Sequence, residues 1–469
     1  MANAQLTTKF ITNRRGGQNL AHNVYIYRVN RRTDQKIFWK CTVSSCPAYI
    51  YTENNVPAGF SSRPHNHPSD HAGVVARQIM DLVKNRCINE VQPVPSIYVS
   101  ELNKLRDSDL DDTSREVVER LPTFNSTKSA LYRARRKTTP PLPKTPADID
   151  LSGKWTETST GERFLLIDDT YQTHRILAFA TDDNLRHLAT ADVFYCDGTF
   201  YSCPTLFHQI YSIHVQIDNV MTPVVYALLP GKSQLIYRRL FQQLDDKMHS
   251  LGLSFTPTTA MLDFETAAHN AITDTFPGTT TKGCFFHFTQ CIWRKAQATG
   301  LQIPYSDNDA VKTLVRRAAI LPLIPLDAID DVWFEALEDR DDADITDLTQ
   351  RFTDYVTEQW VEGDRLVWNH FGNQGPRTTN NLEGWHSKLK RIVQHAHPNI
   401  YTTIQTFKDL QNANEINRIQ RAVGGSIRPK AKKYLTIDHR LSTLKDRYQQ
   451  GLIDAMDYAD SASQLIRLG

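Results

Sequence analysis

No stretch of this sequence is apolar for long enough to cross a bilayer, and the opening MANAQLTTKF lacks the apolar core of a secretory leader. Those two absences create the expectation of a chain that is neither exported nor held in a membrane. Cysteine is scarce, with seven residues scattered over 469 positions. An odd, dispersed set argues against a disulfide framework and for a reducing compartment. There are no internal repeats and no glycine-rich nucleotide loop, and no side chain stands out as a covalent nucleophile. What remains is a globular composition, 40% hydrophobic and 23% charged, in a chain long enough for more than one domain.

The net charge of +2 conceals an asymmetry. Residues 1–150 carry 22 Lys and Arg against 14 Asp and Glu, whereas the rest carries 32 against 38. A basic front on an acidic body suggests a polyanion-binding module, although a solvated basic surface would look the same.

Along the chain, 8–70 contains short alternating runs such as NVYIYRV and IFWKC that read as strands. Residues 71–137 have helical spacing and end in the basic stretch STKSALYRARRK. Four prolines in the nine residues TTPPLPKTP make 138–149 a stiff linker. RFLLIDD, RILAFATD, ADVFYCD, FHQIYSIHVQI and TPVVYALLP then follow as successive strand candidates. SQLIYRRLFQQLDDKMHSLG reads as a helix stopped by Gly252, PTTAMLDFE as a buried strand, TAAHNAITDTF as a helix and TTKGCFFHF as a last short strand. Both 288–379 and 380–469 read as helical. The pattern predicts an α/β body, a mixed sheet with flanking helices.

Cys41 and Cys46 in CTVSSC, with His65 and His67 in HNH, make a complete tetrahedral set for Zn2+. A unit of this size with few aliphatics has little core of its own, so metal binding, worth about 10–16 kcal/mol, would be its folding energy. The spacing resembles that of the FLYWCH zinc finger, through Phe10-Ile11, Tyr25 or Tyr27, Trp39, Cys41, Cys46 and His65-Asn66-His67-Pro68. The resemblance implies zinc on those four residues and binding to DNA or protein.

In VFYCDGTF, Asp197 ends a run of strand formers, and Asp263 repeats the arrangement in AMLDFE. A carboxylate at a buried strand end is costly without a partner. Neighbouring strands would bring the two together, and Mg2+ or Mn2+ would remove the conflict. Taken singly, each is equally a turn or cap residue. Glu383, in TTNNLEGWHSKLKRIV, is the best third acid, beside an apolar face of Leu382, Trp385, Leu389 and Ile392 or Val393. Asn380 as N-cap with Glu383 three residues on also fits a capping box. Glu358, Glu362 and Asp364 are weaker rivals.

YCDGTF, MLDFE, CFFH and TNNLEGWH, in that order, resemble a Mutator-like element (MULE) transposase core. The resemblance implies an RNase H-like fold over roughly 150–430, with 150–287 as its first part, 288–379 as an all-helical insertion and 380–469 as the end of the core. It implies a DDE triad of Asp197, Asp263 and Glu383 holding Mg2+ or Mn2+. It makes Cys284 and His287 the family's C-x-x-H motif, positioned to guide DNA, although with Cys291 they could instead be half a zinc site. His386 falls one turn after Glu383, within reach of a phosphate or simply on the surface.

A DNA transposase would bind terminal inverted repeats and target DNA, and would work as a homo-oligomer in the nucleus. Arg133, Arg135, Arg136 and Lys137 are candidate phosphate contacts. The basic run Arg418, Arg421, Arg428, Lys430, Lys432 and Lys433 either holds DNA or is a solvated face. The alternatives are a domesticated descendant that binds DNA without catalysis, and a zinc-dependent interaction module on an inert body.

Overall fold

The computed structural model describes residues 8–13, 17–106, 112–172, 174–339, 346–373, 375–425, 432–466 and 468. It divides into two compact units, 1–141 and 142–469, with the division inside the proline-rich stretch.

The first unit opens on an antiparallel meander of six strands, paired in chain order: β1 (Thr8–Thr12), β2 (Gln18–His22), β3 (Tyr25–Arg32), β4 (Lys36–Cys41), β5 (Tyr49–Glu53) and β6 (Val56–Phe60). Asn54 and Asn55, both at positive φ, turn β5 into β6. Two-residue hairpins demand that conformation, and Asn tolerates it. Leu20, Trp39 and Ile50 are fully buried in one cluster with Cys41 and Cys46, and the Trp39 indole donates to Thr52 Oγ1 at 2.9 Å. Helices His71–Asn89, Val94–Arg106, Asp112–Arg120 and Phe124–Arg135 follow. The first is capped by Asp70, whose carboxylate accepts from the Gly73 amide.

The second unit is built on a mixed sheet of seven strands: β7 (Leu165–Tyr171), β8 (His174–Phe179), β9 (Val193–Thr199), β10 (Gln209–Ile217), β11 (Val220–Leu229), β12 (Thr259–Leu262) and β13 (Thr280–Gly283). Their order across the sheet is β13-β12-β9-β10-β11-β8-β7. β9, β10 and β11 are antiparallel neighbours, while β12 runs parallel to β9 and β13 parallel to β12.

Alternation along the strands assigns the two faces. Phe194 and Cys196 of β9 and Ala260 and Leu262 of β12 point into a core shared with helices Asp182–Ala189, Gln234–Ser250 and Thr266–Thr275. Tyr195 and Met261 point the other way, onto Leu382 of helix Asn380–Val393. Trp385 of that helix packs on Tyr226, which also stacks on Phe407 of helix Ile400–Ala422. A second core joins the helices of 285–368 to Leu441, Met456 and Tyr458 of the C-terminal helices.

Two readings of local pattern need correction. CFFHF is not strand: β13 stops at Gly283, and Cys284 caps helix Phe285–Ala298, whose Phe288 and Ile292 are buried at helical spacing. Tertiary burial of that stripe overrides the β propensity of phenylalanine. The helix Asp182–Ala189, hidden among strand candidates, starts where Thr181 accepts from the Asn184 amide and two aspartates occupy the first turn. Gly252 does end its helix, at φ +71. No helix among the described residues is long and apolar enough to cross a membrane.

Candidate active site and metal centre

In the first unit Cys41 ends β4, Cys46 follows in a tight turn, and His65 and His67 lie after β6. The donor atoms of all four lie within 4.8 Å of one another. Cys41 Sγ is 3.3 Å from His67 Nε2, and Cys46 Sγ is 3.3 Å from His65 Nδ1. Each ring is oriented through its other nitrogen. His67 Nδ1 donates to the Pro68 carbonyl at 2.8 Å, and His65 Nε2 lies 2.8 Å from Tyr27 Oη. Such partners fix the tautomer that turns a lone pair inward. Tyr25 stacks flat on His65 at 3.6 Å, and burial holds that ring below its ordinary pKa, in the neutral form a metal needs. This is a Cys2His2 group suited to Zn2+.

In the second unit, the register of β9 and β12 pairs Thr259 with Val193 and Met261 with Tyr195. Continued by two residues, that offset puts Asp263 level with Asp197 at the same ends of two adjacent parallel strands. By the same alternation Asp197 leaves the sheet on the Leu382 face, under helix Asn380–Val393, while Asp263 follows directly on the end of β12. Asp197 Oδ1 accepts from the Gly198 amide at 2.8 Å. A Cβ on Gly198 would stand 2.3 Å from the Gln209 side-chain oxygen, so any larger residue there requires the buried Gln209 side chain to shift. Asp263 is held through its backbone, its carbonyl 2.7 Å from His269 Nε2. No sequence pattern singles out His269, six residues further on.

Helix Asn380–Val393 starts one residue earlier than a cap at Asn380 would have it: Thr379 is the N-cap and makes no side-chain capping bond. Glu383 therefore occupies the fourth helical position, too far along for a capping box. Leu382, Trp385, Leu389 and Val393 are buried while Ile392 is 44% exposed, which resolves the apolar face. Glu383 instead meets His287, Nε2 to Oε1 at 3.5 Å. His386 is no surface residue: it is largely buried, with Nδ1 3.6 Å from Asp197 Oδ2. Burial pushes its pKa down to about 4.

These groups determine one another's charge. Burial, followed by the nearby Asp263 and Glu383 charges, raises Asp197 to about 7 against the opposing pull of His287. Burial alone would lower His287, but Cys284, Glu383 and Asp197 outweigh it and hold the ring protonated, at about 11. Cys284 is completely buried, and its sulfur accepts from the Thr379 amide at 3.2 Å. Cys284, His287 and Cys291 do not form a metal-ligand group among the described residues. Nor do Asp197, Asp263 and Glu383 draw together as closely as the four zinc ligands do.

Of the basic candidates, Arg135 is half-buried, and its guanidinium donates to the carbonyls of Cys87 and Glu90, closing the end of helix His71–Asn89. Arg133, Arg136 and Lys137 are exposed. Arg418 is bound to Asp183 and His187 rather than free. Arg428 and Lys430 lie outside the described residues, and Lys432 and Lys433 are exposed.

Comparison with known families matches residues 193–291 to the MULE transposase domain and residues 10–67 to the FLYWCH zinc finger domain. The chain carries both domains. Asp197, Asp263, Cys284 and His287 fall inside the MULE match, and Glu383 lies beyond it. All four zinc-site residues fall inside the FLYWCH match. A search of curated proteins finds no match. A MULE transposase domain behind a FLYWCH finger suggests DNA as the partner, in a Mutator-like transposase or a DNA-binding protein derived from one.

Proposed function

We propose that the second unit is an RNase H-like nuclease core, and that the chain is a Mutator-like DNA transposase that cuts and joins strands at terminal inverted repeats. The carrying observation is the parallel register of β9 and β12, in which Met261 pairs with Tyr195 two residues before Asp263 and Asp197. The strand order supports the fold reading: three antiparallel strands with two parallel ones added beside the first.

The donor set fits a hard divalent cation. Three acids face one imidazolium, and burial has already pushed Asp197 up to about 7, so the site is short of positive charge. Asp197, Asp263 and Glu383 would hold Mg2+ or Mn2+. Bound there, the metal supplies Lewis-acid activation of an attacking hydroxyl and stabilisation of the leaving oxygen. Leu382 and Trp385 lock the helix that presents Glu383, and His287 holds its carboxylate. The finger and the exposed Arg133, Arg136 and Lys137 would bind the repeat, largely through phosphates. The work would take place in the nucleus, and joining two ends would require a homo-oligomer.

A second reading has its own observation. Glu383 is engaged by His287, and the three carboxylates do not close as the zinc ligands do, as expected for a descendant that binds DNA without cutting it. Incubation with inverted-repeat DNA and Mg2+ or Mn2+, comparing wild type with Asp197→Ala, separates the two. Nicking lost in the variant with binding retained supports the transposase. Binding without nicking by either protein supports the regulator, and no binding by either removes both.

A further inference from the structure

Two aromatic rings stand exposed directly after the strand that carries Asp197: Phe200 at 44% and Tyr201 at 38%. A lone exposed aromatic says little. Here the two are consecutive, and each ring carries a lysine. Lys232 Nζ lies 4.8 Å from the centre of Phe200, and Lys390 Nζ lies 4.5 Å from that of Tyr201. Lys390 belongs to the same helix as Glu383.

The loop is held firmly. The Cys203 amide donates to the Phe200 carbonyl at 3.1 Å, and the His397 amide donates to the Tyr201 carbonyl at 2.9 Å. His397 Nδ1 lies 3.0 Å from the Cys203 carbonyl. The chain just beyond the Glu383 helix is thus tied to the rings that follow Asp197, fixing them beside the candidate active site. His208 packs against Phe200 with the two rings nearly perpendicular, and the Phe200 ring remains 44% exposed beside it.

We propose that Phe200 and Tyr201 form a stacking platform for unpaired bases at a DNA end, with Lys390 and Lys232 taking the adjoining phosphates. This deepens the transposase reading and rests on it for the DNA. Alternating π faces and ammonium groups suit single-stranded nucleic acid, since every base has a face to stack and every linkage a charge to neutralise. Lys232 shares its charge with Glu265 at 2.9 Å, so Lys390 is the stronger phosphate contact. Prior ordering of the rings lowers the entropy lost on stacking. A melted end placed there would lie next to Asp197 and Glu383, where its terminal linkage reacts.

The test uses the full zinc-loaded chain without added Mg2+ and two fluorescein-labelled probes, a blunt duplex and the same duplex with a 3′ thymidine tail. Wild type is expected to bind the tailed probe about tenfold more tightly. The Phe200→Ala/Tyr201→Ala variant should bind both probes equally, Phe200→Trp/Tyr201→Trp should retain the preference, and Lys390→Gln should lower the salt slope by about one. A 2-aminopurine in the tail should be quenched by wild type and not by the alanine variant. Equal binding of both probes by wild type, or an undiminished preference in a folded alanine variant, overturns the platform. Weakening of both probes by excess polyglutamate, with rings and tail irrelevant, would instead mark an acidic-protein surface. Tail preference without nicking would remove the nuclease and keep the platform; nicking without tail preference would do the reverse.

Discussion

His287 Nε2 stands 3.5 Å from a carboxylate oxygen of Glu383. Helix Phe285–Ala298 contributes the cation and helix Asn380–Val393 the anion, so the contact joins two segments almost a hundred residues apart at the face where β9 and β12 end. The completely buried Cys284 keeps that imidazole charged, and the Thr379 amide holds the sulfur.

His287→Asn removes the charge and keeps a polar side chain. If Glu383 is positioned by this pair, metal-dependent nicking should fall about 10–100-fold, as when other outer partners of metal ligands are lost. Zinc content and DNA affinity should be unchanged. A rate equal to wild type would show the pairing to be incidental.

Zinc should be present at one ion per chain, and ortho-phenanthroline should remove it. Trp39 is fully buried beside Cys41 and Cys46, so its near-ultraviolet dichroism should collapse with the metal. Cys46→Ser should do the same, because structural zinc contributes on the order of 10 kcal/mol to folding. Cys284→Ser should retain the full zinc content; loss of zinc there would reopen a second metal site.

Leu382→Ala tests whether the helix locks the two aspartate strands. Leu382 is completely buried against Tyr195 and Met261, so its truncation should cost about 2–5 kcal/mol in urea unfolding. Ile392→Ala, at 44% exposure on the same helix, should stay within about 0.5 kcal/mol. Equal losses would mean that the helix is not anchored through Leu382.

His370 makes stability pH-dependent. It is buried, with Nε2 2.8 Å from the Gly283 carbonyl, and Asn373 donates to its other nitrogen. Burial holds its pKa at about 4, below the ordinary 6.5. The unfolded chain therefore binds the proton first, and the contribution present above pH 6.5 is lost as pH falls towards 4. The full loss from this group is about 3 kcal/mol. Urea midpoints at pH 7 and pH 4.5 should differ less in His370→Gln than in wild type; an equal difference would assign the effect to the other buried histidines.

Much of the fold was legible locally. Runs of β-forming residues marked β9, β10 and β11, Gly252 marked a helix end, and two Cys with two His marked the metal group. What misled was also local. CFFHF carries β formers, yet its Phe288 falls on a buried helix stripe and packs against Trp360 and Trp368. Asn380 looked like a cap because residue type and spacing do not fix which residue begins the helix, and Arg135 looked like a free cation because its acceptors, two carbonyls, leave no trace in side-chain identity.

By itself the sequence determined which residues could bind a hard or a soft ion, and where strands and helices could run, because side-chain chemistry and hydrophobic period are written along the chain. Only the tertiary structure decided that β12 lies against β9 with Met261 paired to Tyr195, two residues before the aspartates, that His287 reaches Glu383, and that His386 is buried beside Asp197. The physical reason is that register and ion pairing between distant segments depend on which buried faces pack together, and no spacing along one strand or helix encodes that choice.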